Sequence, residues 1–185
     1  MRVLGISGSL RRDSYNTALL RAAAERLPAG VELVEYEGLR EIPTYDADLE
    51  EDQNAPAAVA ELREAVRSAD AVLVVTPEYN HSLPGQLKNA LDWISRPAGQ
   101  SALNGKPAAA IGASTGMFGA VWAQAEARKV LGALGGRVVE AELPVPRAAA
   151  QFHDGELELS VEQSERLGEI LRQLLAEVEE LAVAA

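Results

Sequence analysis

Residues 71–85 read AVLVVTPEYNHSLPG. Ala71–Val75 is apolar throughout, as a strand covered on both faces must be, and sheets covered on both faces are parallel ones. The chain then switches at once to proline, carboxylate, aromatic ring and amide. A buried strand that opens into such a turn belongs to an alternating α/β sheet, whose ligand-bearing loops lie beyond the carboxyl ends of its strands.

The same alternation extends in both directions. Short apolar runs at Val3–Ile6, Val31–Glu35, Ala108–Gly112 and Arg137–Leu143 predict four more strands. Helices are predicted at Tyr15–Leu27, Ala55–Ser68, Gly85–Ile94, Gly119–Leu134 and Ser160–Leu181. Asn54 is a good cap for the second of these, with Pro56 in its first turn. Gly135–Gly136 stops the fourth. In the last helix Leu167, Ile170, Leu171, Leu174, Leu175, Val178 and Leu181 form one stripe at helical spacing, which predicts a face packed on the sheet. Five strands with right-handed crossovers predict a flavodoxin-like, doubly wound α/β sheet of order 2-1-3-4-5, with helices on both faces. Two connections, 36–54 and 144–159, exceed ordinary loop length and are candidates for binding or subunit contact.

The 185 residues suit one domain spanning 1–185. With 28 acidic and 17 basic residues the formal charge is −11, which repels polyanions and argues against a nucleic-acid partner. There is no cysteine, so disulfides, thiolate catalysis and cysteine-ligated metal are excluded. The start MRVLGIS enters a strand directly, and no apolar run approaches a membrane span. The expectation is a cytoplasmic protein with no membrane partner.

In the order 2-1-3-4-5, strands 1, 3 and 4 are neighbours, so three turns meet at one rim: SGSLRRDSYN (7–16), TPEYNHSLPG (76–85) and ASTGMFG (113–119). The first offers the hydroxyls of Ser7, Ser9 and Ser14, the Asn16 amide, a guanidinium from Arg11 or Arg12, and the start of a helix. A phosphate monoester needs such donors. The turn lacks the glycine spacing of a dinucleotide loop and the Lys-Ser pair of a nucleoside triphosphate cradle. A helix-capping turn with surface arginines reads equally well. In the second turn Tyr79 could stack on a planar heterocycle with Asn80 and backbone amides reading its edge, or be a buried anchor. His81 has no partner at catalytic spacing. Glu78 is read as structural or at an interface before acid–base. In the third, Ser114, Thr115 and Gly116 allow close backbone approach. Met117 and Phe118 wall a ring, meet another subunit, or join the core. A phosphate grip beside an aromatic slot describes a mononucleotide, and a ring edge with both donors and acceptors suggests flavin mononucleotide (FMN).

GSLRRDSYN, then PEYNHSLPGQLKNALDW, then GKPAAAIGASTG closely resembles the NADPH-dependent FMN reductase family, whose relatives reduce quinones, chromate and azo dyes. The resemblance covers about Met1 to Leu134. It implies that Ser9, Arg11, Ser14 and Asn16 hold the FMN phosphate. It implies that Pro77, Glu78, Tyr79 and Asn80 line the isoalloxazine ring, with Ser114, Thr115 and Gly116 on its other polar side. Arg128 matches an arginine that reaches a subunit contact with Glu78 in many relatives. Where many relatives carry Gly-Gly and an arginine after the third turn, this chain reads Gly119–Ala120–Val121–Trp122, which reshapes the second-substrate pocket.

The implied reaction is ping-pong hydride transfer from NAD(P)H, then reduction of a quinone, flavin, azo dye or chromate, with no catalytic side chain and no metal. The implied assembly is a homodimer or homotetramer. A flavodoxin-type electron carrier and a non-catalytic nucleotide-binding module are the alternatives.

Overall fold

The computed structural model describes residues 1–50 and 55–184. Strands β1 (Arg2–Ser7), β2 (Glu32–Glu35), β3 (Ala71–Thr76), β4 (Pro107–Ala113) and β5 (Arg137–Val138) run parallel in the order β2-β1-β3-β4-β5. This is the order read from the sequence. Ser7 lies beside Val75 and Val75 beside Ile111, so the three central strands end at one level. That register brings three turns to a common rim.

Alternate residues of each strand feed two separate cores. Helices α1 (Tyr15–Ala24) and α5 (Val161–Ala184) cover Val3, Leu73, Val75, Ala109 and Ile111. Helices α2 (Ala57–Ser68), α3 (Gly85–Ile94) and α4 (Val121–Ala133) cover Leu4, Ile6, Val72, Val74, Ala108 and Ala110. The α5 stripe behaves as expected: Leu167, Ile170, Leu171, Leu174 and Leu175 are buried. Burying one such side chain is worth about 1.5–3 kcal/mol. The small residues of β4 have a physical reason. A Cβ on Gly112 would stand 2.4 Å from the Thr76 carbonyl oxygen, so α4 and β3 can approach β4 closely only if this residue is glycine.

Most element ends shift by one to three residues from the sequence reading, as at α1, which ends at Ala24 and not Leu27, and two differences have a visible cause. The α2 helix begins at Ala57, and the Pro56 carbonyl accepts from the Val59 and Ala60 amides just before it. The Asn54 cap lies outside the described residues. The predicted strand Arg137–Leu143 is interrupted: β5 stops at Val138, and β6 (Pro144–Val145) rejoins β4 at Gly112 and Ala113. Between them Val139, Ala141 and Leu143 keep the buried alternation of a strand. The ladder breaks because the Leu143 amide donates to the Gln124 side chain of α4 at 2.9 Å.

In their described residues both long connections are held by packing. In the first, the 3₁₀ turn at Gly38–Glu41 docks on α3, and a second, exposed one follows at Ala47–Leu49. Gln86 donates to the Leu39 and Ile42 carbonyls, and Asn89 and Trp93 both donate to Pro43. The second connection holds β6, a 3₁₀ turn at Ala148–Gln151, and a hairpin of β7 (Phe152–His153) and β8 (Glu156–Leu157). Asp154 and Gly155 form its two-residue turn with φ of 50° and 90°, the pair such a turn requires. Leu157 buries that hairpin in the core shared with α1. Among the described residues no helix is long and apolar enough to cross a membrane.

Candidate functional site

At the carboxyl rim a cavity of about 230 Å³ is lined by Ser9, Arg11, Ser14, Tyr15, Asn16, Pro77, Glu78, Tyr79, Ala113, Ser114 and Thr115. Nine of the eleven residues singled out in the sequence line it. Asn80 and Gly116 are exposed on the neighbouring turns. The three turns therefore converge on one space, and each is built differently.

The 8–14 turn is fixed at its ends. The Gly8 amide donates to the Val75 carbonyl at 2.8 Å. At the other end Ser14 is the α1 N-cap, accepting from the Asn16 and Thr17 amides at 3.2 Å each. A hydroxyl used as acceptor still has its proton to donate, so capping leaves Ser14 able to serve an anion as well. Asn16 is buried, and its side-chain amide is spent on β4. It donates to the Ala113 carbonyl at 3.0 Å and accepts from the Ala113 amide at 2.9 Å. It thus pins the start of α1 to the rim of the sheet. Arg11 is exposed and has no carboxylate partner among the described residues. Its guanidinium lies 4.2 Å over the Tyr15 ring. The middle of the turn is a cation beside a helix N-terminus, which is where an anion is stabilised.

The second turn is a miniature hairpin. Tyr79 and Ser82 exchange backbone hydrogen bonds of 3.1 Å, and Asn80 and His81 between them have φ of 53° and 62°. Asparagine tolerates this left-handed region better than most residues, so Asn80 is at the tip for backbone reasons. The hairpin presents the half-exposed Tyr79 ring to the cavity. Glu78 points the other way. Its Oε2 accepts from the Trp122 and Ala123 amides at 3.1 and 3.2 Å, capping α4 from outside its own sequence. His81 Nδ1 sits 3.7 Å from the other carboxylate oxygen.

The third turn is held on three sides. Gly119 and Ala120 both take left-handed φ, at 60° and 63°. A Cβ on Gly119 would stand 2.6 Å from the Val145 amide nitrogen, so only glycine fits there. The Ser114 amide donates to Val145, while Ala148 and Arg147 donate to Ser114 and Gly116. Gln124, fully buried, donates to the Gly119 carbonyl at 3.0 Å. Glu126 accepts from the Ser82 hydroxyl and the Leu83 amide, tying α4 to the second turn. The Ser82 hydrogen bond is the main cause holding its carboxyl below the usual carboxylate range, against a smaller opposing effect of burial.

Met117, Phe118 and Trp122 are exposed, resolving the three readings of this turn against core packing. Phe118 and His81 both stand edge-on to Trp122, with centroids 4.9 and 4.7 Å away. Arg128 turns inward, to Glu142 at 3.1 Å and the Ala141 carbonyl at 3.4 Å. Tyr15, Gln124 and Glu126 were not singled out from the sequence. Tyr15 alone carried a signal, as an aromatic ring at the first helical position after a capping serine.

Comparison with known proteins agrees with this geometry. The family model described as NADPH-dependent FMN reductase matches residues 1–150. An NAD(P)H-dependent FMN reductase of Pseudomonas aeruginosa is 50% identical over 133 residues, covering 71% of this chain and 69% of that protein. A quinone reductase of Escherichia coli K12 is 41% identical over 131 residues, with coverage of 71% and 69%. The solved structure of FerB, a flavoenzyme NAD(P)H:(acceptor) oxidoreductase from Paracoccus denitrificans, superposes with a TM-score of 0.82 at 34% identity, covering 97% of each chain. The chain belongs to the NADPH-dependent FMN reductase family and is an oxidoreductase.

Proposed function

We propose that this oxidoreductase binds FMN in the rim cavity and passes electrons from NAD(P)H to a quinone or related acceptor in a ping-pong cycle. The observation that supports the reading most is the convergence of a free cation, capped helix start, half-exposed tyrosine and rigid backbone turn on one space between β1, β3 and β4. The residues fit the group. Arg11 offers a guanidinium that no carboxylate among the described residues neutralises, Ser9 and Ser14 offer hydroxyls, and α1 begins there. Pro77 and Tyr79 supply apolar walls. Glu78, the one carboxylate lining the cavity, is committed to the α4 amides and does not oppose an anion at close range.

When bound, FMN supplies the hydride chemistry: two electrons accepted from a nicotinamide and given up to an acceptor. The chain's part is placement. Arg11, Ser9 and Ser14 hold the phosphate end, and a charged hydrogen bond of this kind is worth about 1.5–3 kcal/mol. The Tyr79 hairpin and the Ser114–Gly116 backbone flank the ring, with Asn80 and Asn16 acting through the turn and the β4 anchor they fix. The nicotinamide gives up its hydride without losing a proton, and the one further proton that a quinone oxygen takes up is supplied by water at the open rim, so no acid–base side chain is assigned. Orientation at near-attack distance is the catalytic device. The exposed Phe118 and Trp122 sit where the second substrate arrives, and with Met117 they form an apolar surface that suits a homodimer or homotetramer.

The test is direct. Purified protein should be yellow, release FMN and not FAD on denaturation, and oxidise NADH or NADPH with a quinone. Double-reciprocal plots at several quinone concentrations should be parallel. Protein that refuses added FMN removes the reading, and converging lines remove the ping-pong order. Light scattering on the eluted peak counts subunits.

A further inference from the structure

The family model stops at residue 150, yet a contact from beyond it reaches the cavity. Phe152 opens the β7–β8 hairpin, and its ring meets Tyr15 edge to face, with centroids 5.0 Å apart at 73°. Arg11 lies over the Tyr15 ring, its guanidinium carbon 4.2 Å from the ring centroid. Arg11 and Tyr15 line the cavity, and Phe152, which does not line it, touches Tyr15. Three side chains from three elements thus form one stack that ends in the cation of the 8–14 turn.

The stack matters because, among the described residues, no hydrogen bond or ion pair fixes that cation. Arg11 has no carboxylate partner among the described residues. The middle of its turn is exposed; its backbone is held there by the Arg11 amide on Ser9 Oγ at 3.4 Å and by the Arg40 guanidinium, which donates to the Leu10 carbonyl at 2.5 Å, but neither bond holds the Arg11 side chain. A long guanidinium side chain left free loses rotamer entropy when it grips an anion, and a side chain already held loses less. A cation over a tyrosine face at an exposed site shifts the side-chain population by about 2- to 5-fold. The edge contact from Phe152 fixes the plane of that face, and burial of Leu157 fixes the hairpin that carries Phe152.

We propose that Tyr15, propped by Phe152, is a positioning residue that holds the Arg11 guanidinium in place for the FMN phosphate. The inference rests on the reading that the 8–14 turn takes that phosphate. It assigns the segment after residue 150 a part in cofactor affinity, through ring contacts and with no direct contact to the ligand.

The experiment compares two flavins that differ only at the phosphate. Apoprotein is titrated with FMN and with riboflavin, following flavin fluorescence, while urea unfolding checks the fold. Arg11→Ala should weaken FMN about 10- to 100-fold, the loss of a charged hydrogen bond, and leave riboflavin unchanged. Tyr15→Leu should weaken FMN about 2- to 5-fold, again sparing riboflavin, and should add less than about 2-fold on top of Arg11→Ala. Tyr15→Phe should keep wild-type affinity for both flavins. Phe152→Leu should move FMN alone, by about 2- to 5-fold, and decides the matter if Tyr15→Leu fails to fold. Equal weakening of FMN and riboflavin by Tyr15→Leu or Phe152→Leu overturns the inference, since that marks a wall of the cavity. So does an unchanged FMN affinity in both variants while Arg11→Ala weakens it. An Arg11→Ala protein that binds FMN as wild type does would instead remove the phosphate reading underneath.

Discussion

The two sides of the rim cavity are built on opposite plans. On one side, turns 77–84 and 114–120 are locked to α4 and β6 by buried or charge-assisted hydrogen bonds from Glu78, Gln124 and Glu126. On the other, turn 8–14 is anchored at its two ends and, between them, by one exposed hydrogen bond that the Arg40 guanidinium donates to the Leu10 carbonyl at 2.5 Å, with Leu10, Arg11, Arg12 and Asp13 exposed. The difference matches two ligand chemistries. A flat ring is recognised by shape, which needs a wall that does not move. A phosphate is recognised by charge, which tolerates an arm provided its cation is aimed. Substitutions on the wall should therefore cost fold stability and flavin affinity together, whereas those on the arm should cost affinity alone.

The largest expected effect is at Gln124. It is fully buried and serves two backbone groups, donating to Gly119 and accepting from Leu143. Gln124→Ala leaves both without a partner and should cost about 2–4 kcal/mol of unfolding free energy, read from urea denaturation. FMN and riboflavin affinity should fall together. If stability falls while both affinities hold, the wall does not depend on this link and the contrast between the two sides fails.

How much of this was legible in the sequence follows from range. The sheet order, the α5 stripe and the three turns come from local periodicity and from a topological rule, and both are written in consecutive residues. The interrupted fifth strand was not legible. Arg137–Leu143 alternates as a strand should, and what breaks it is Gln124, thirteen residues before Arg137, taking the Leu143 amide. Asn16 and Glu78 show the same limit. The Asn16 amide suggested ligand contact and Glu78 a structural or interface role, but the partners they take, Ala113 and the α4 amides, lie 97 and 44–45 residues away and are set by the fold. Tyr15 escaped because its two ring contacts join separate segments of the chain, one of them outside the part that resembles the family.

Glu78 gives a smaller and more selective test of the wall. Its charge caps α4 where the Trp122 and Ala123 amides lack helical partners. Glu78→Gln keeps an oxygen acceptor and removes the charge, so it should cost about 0.3–1 kcal/mol, and Glu78→Ala about 1–2 kcal/mol. Urea unfolding separates the two. Equal losses would mean that the geometry of the acceptor, and not its charge, orients the second turn against α4.

An effect as small as that of the Glu78 charge is expected at Ser82, and pH should reveal it. The Ser82 hydroxyl holds the Glu126 carboxyl below its usual range, so folding favours the carboxylate. A depressed carboxyl contributes stability that is fully present above the unfolded pKa, about 4.3, and is lost as pH falls through the folded value. Ser82→Ala should therefore cost about 0.5–1 kcal/mol at pH 7, and the gap from wild type should shrink as pH drops below about 4. The partial exposure of Glu126 keeps the figure at the low end of a charged hydrogen bond, because solvent screens the pair. A gap that stays constant down to pH 3 would show that Ser82 supports the Tyr79 hairpin by packing alone. The electrostatic tie between the second turn and α4 would then rest on Glu78 and on the Leu83 amide that donates to Glu126.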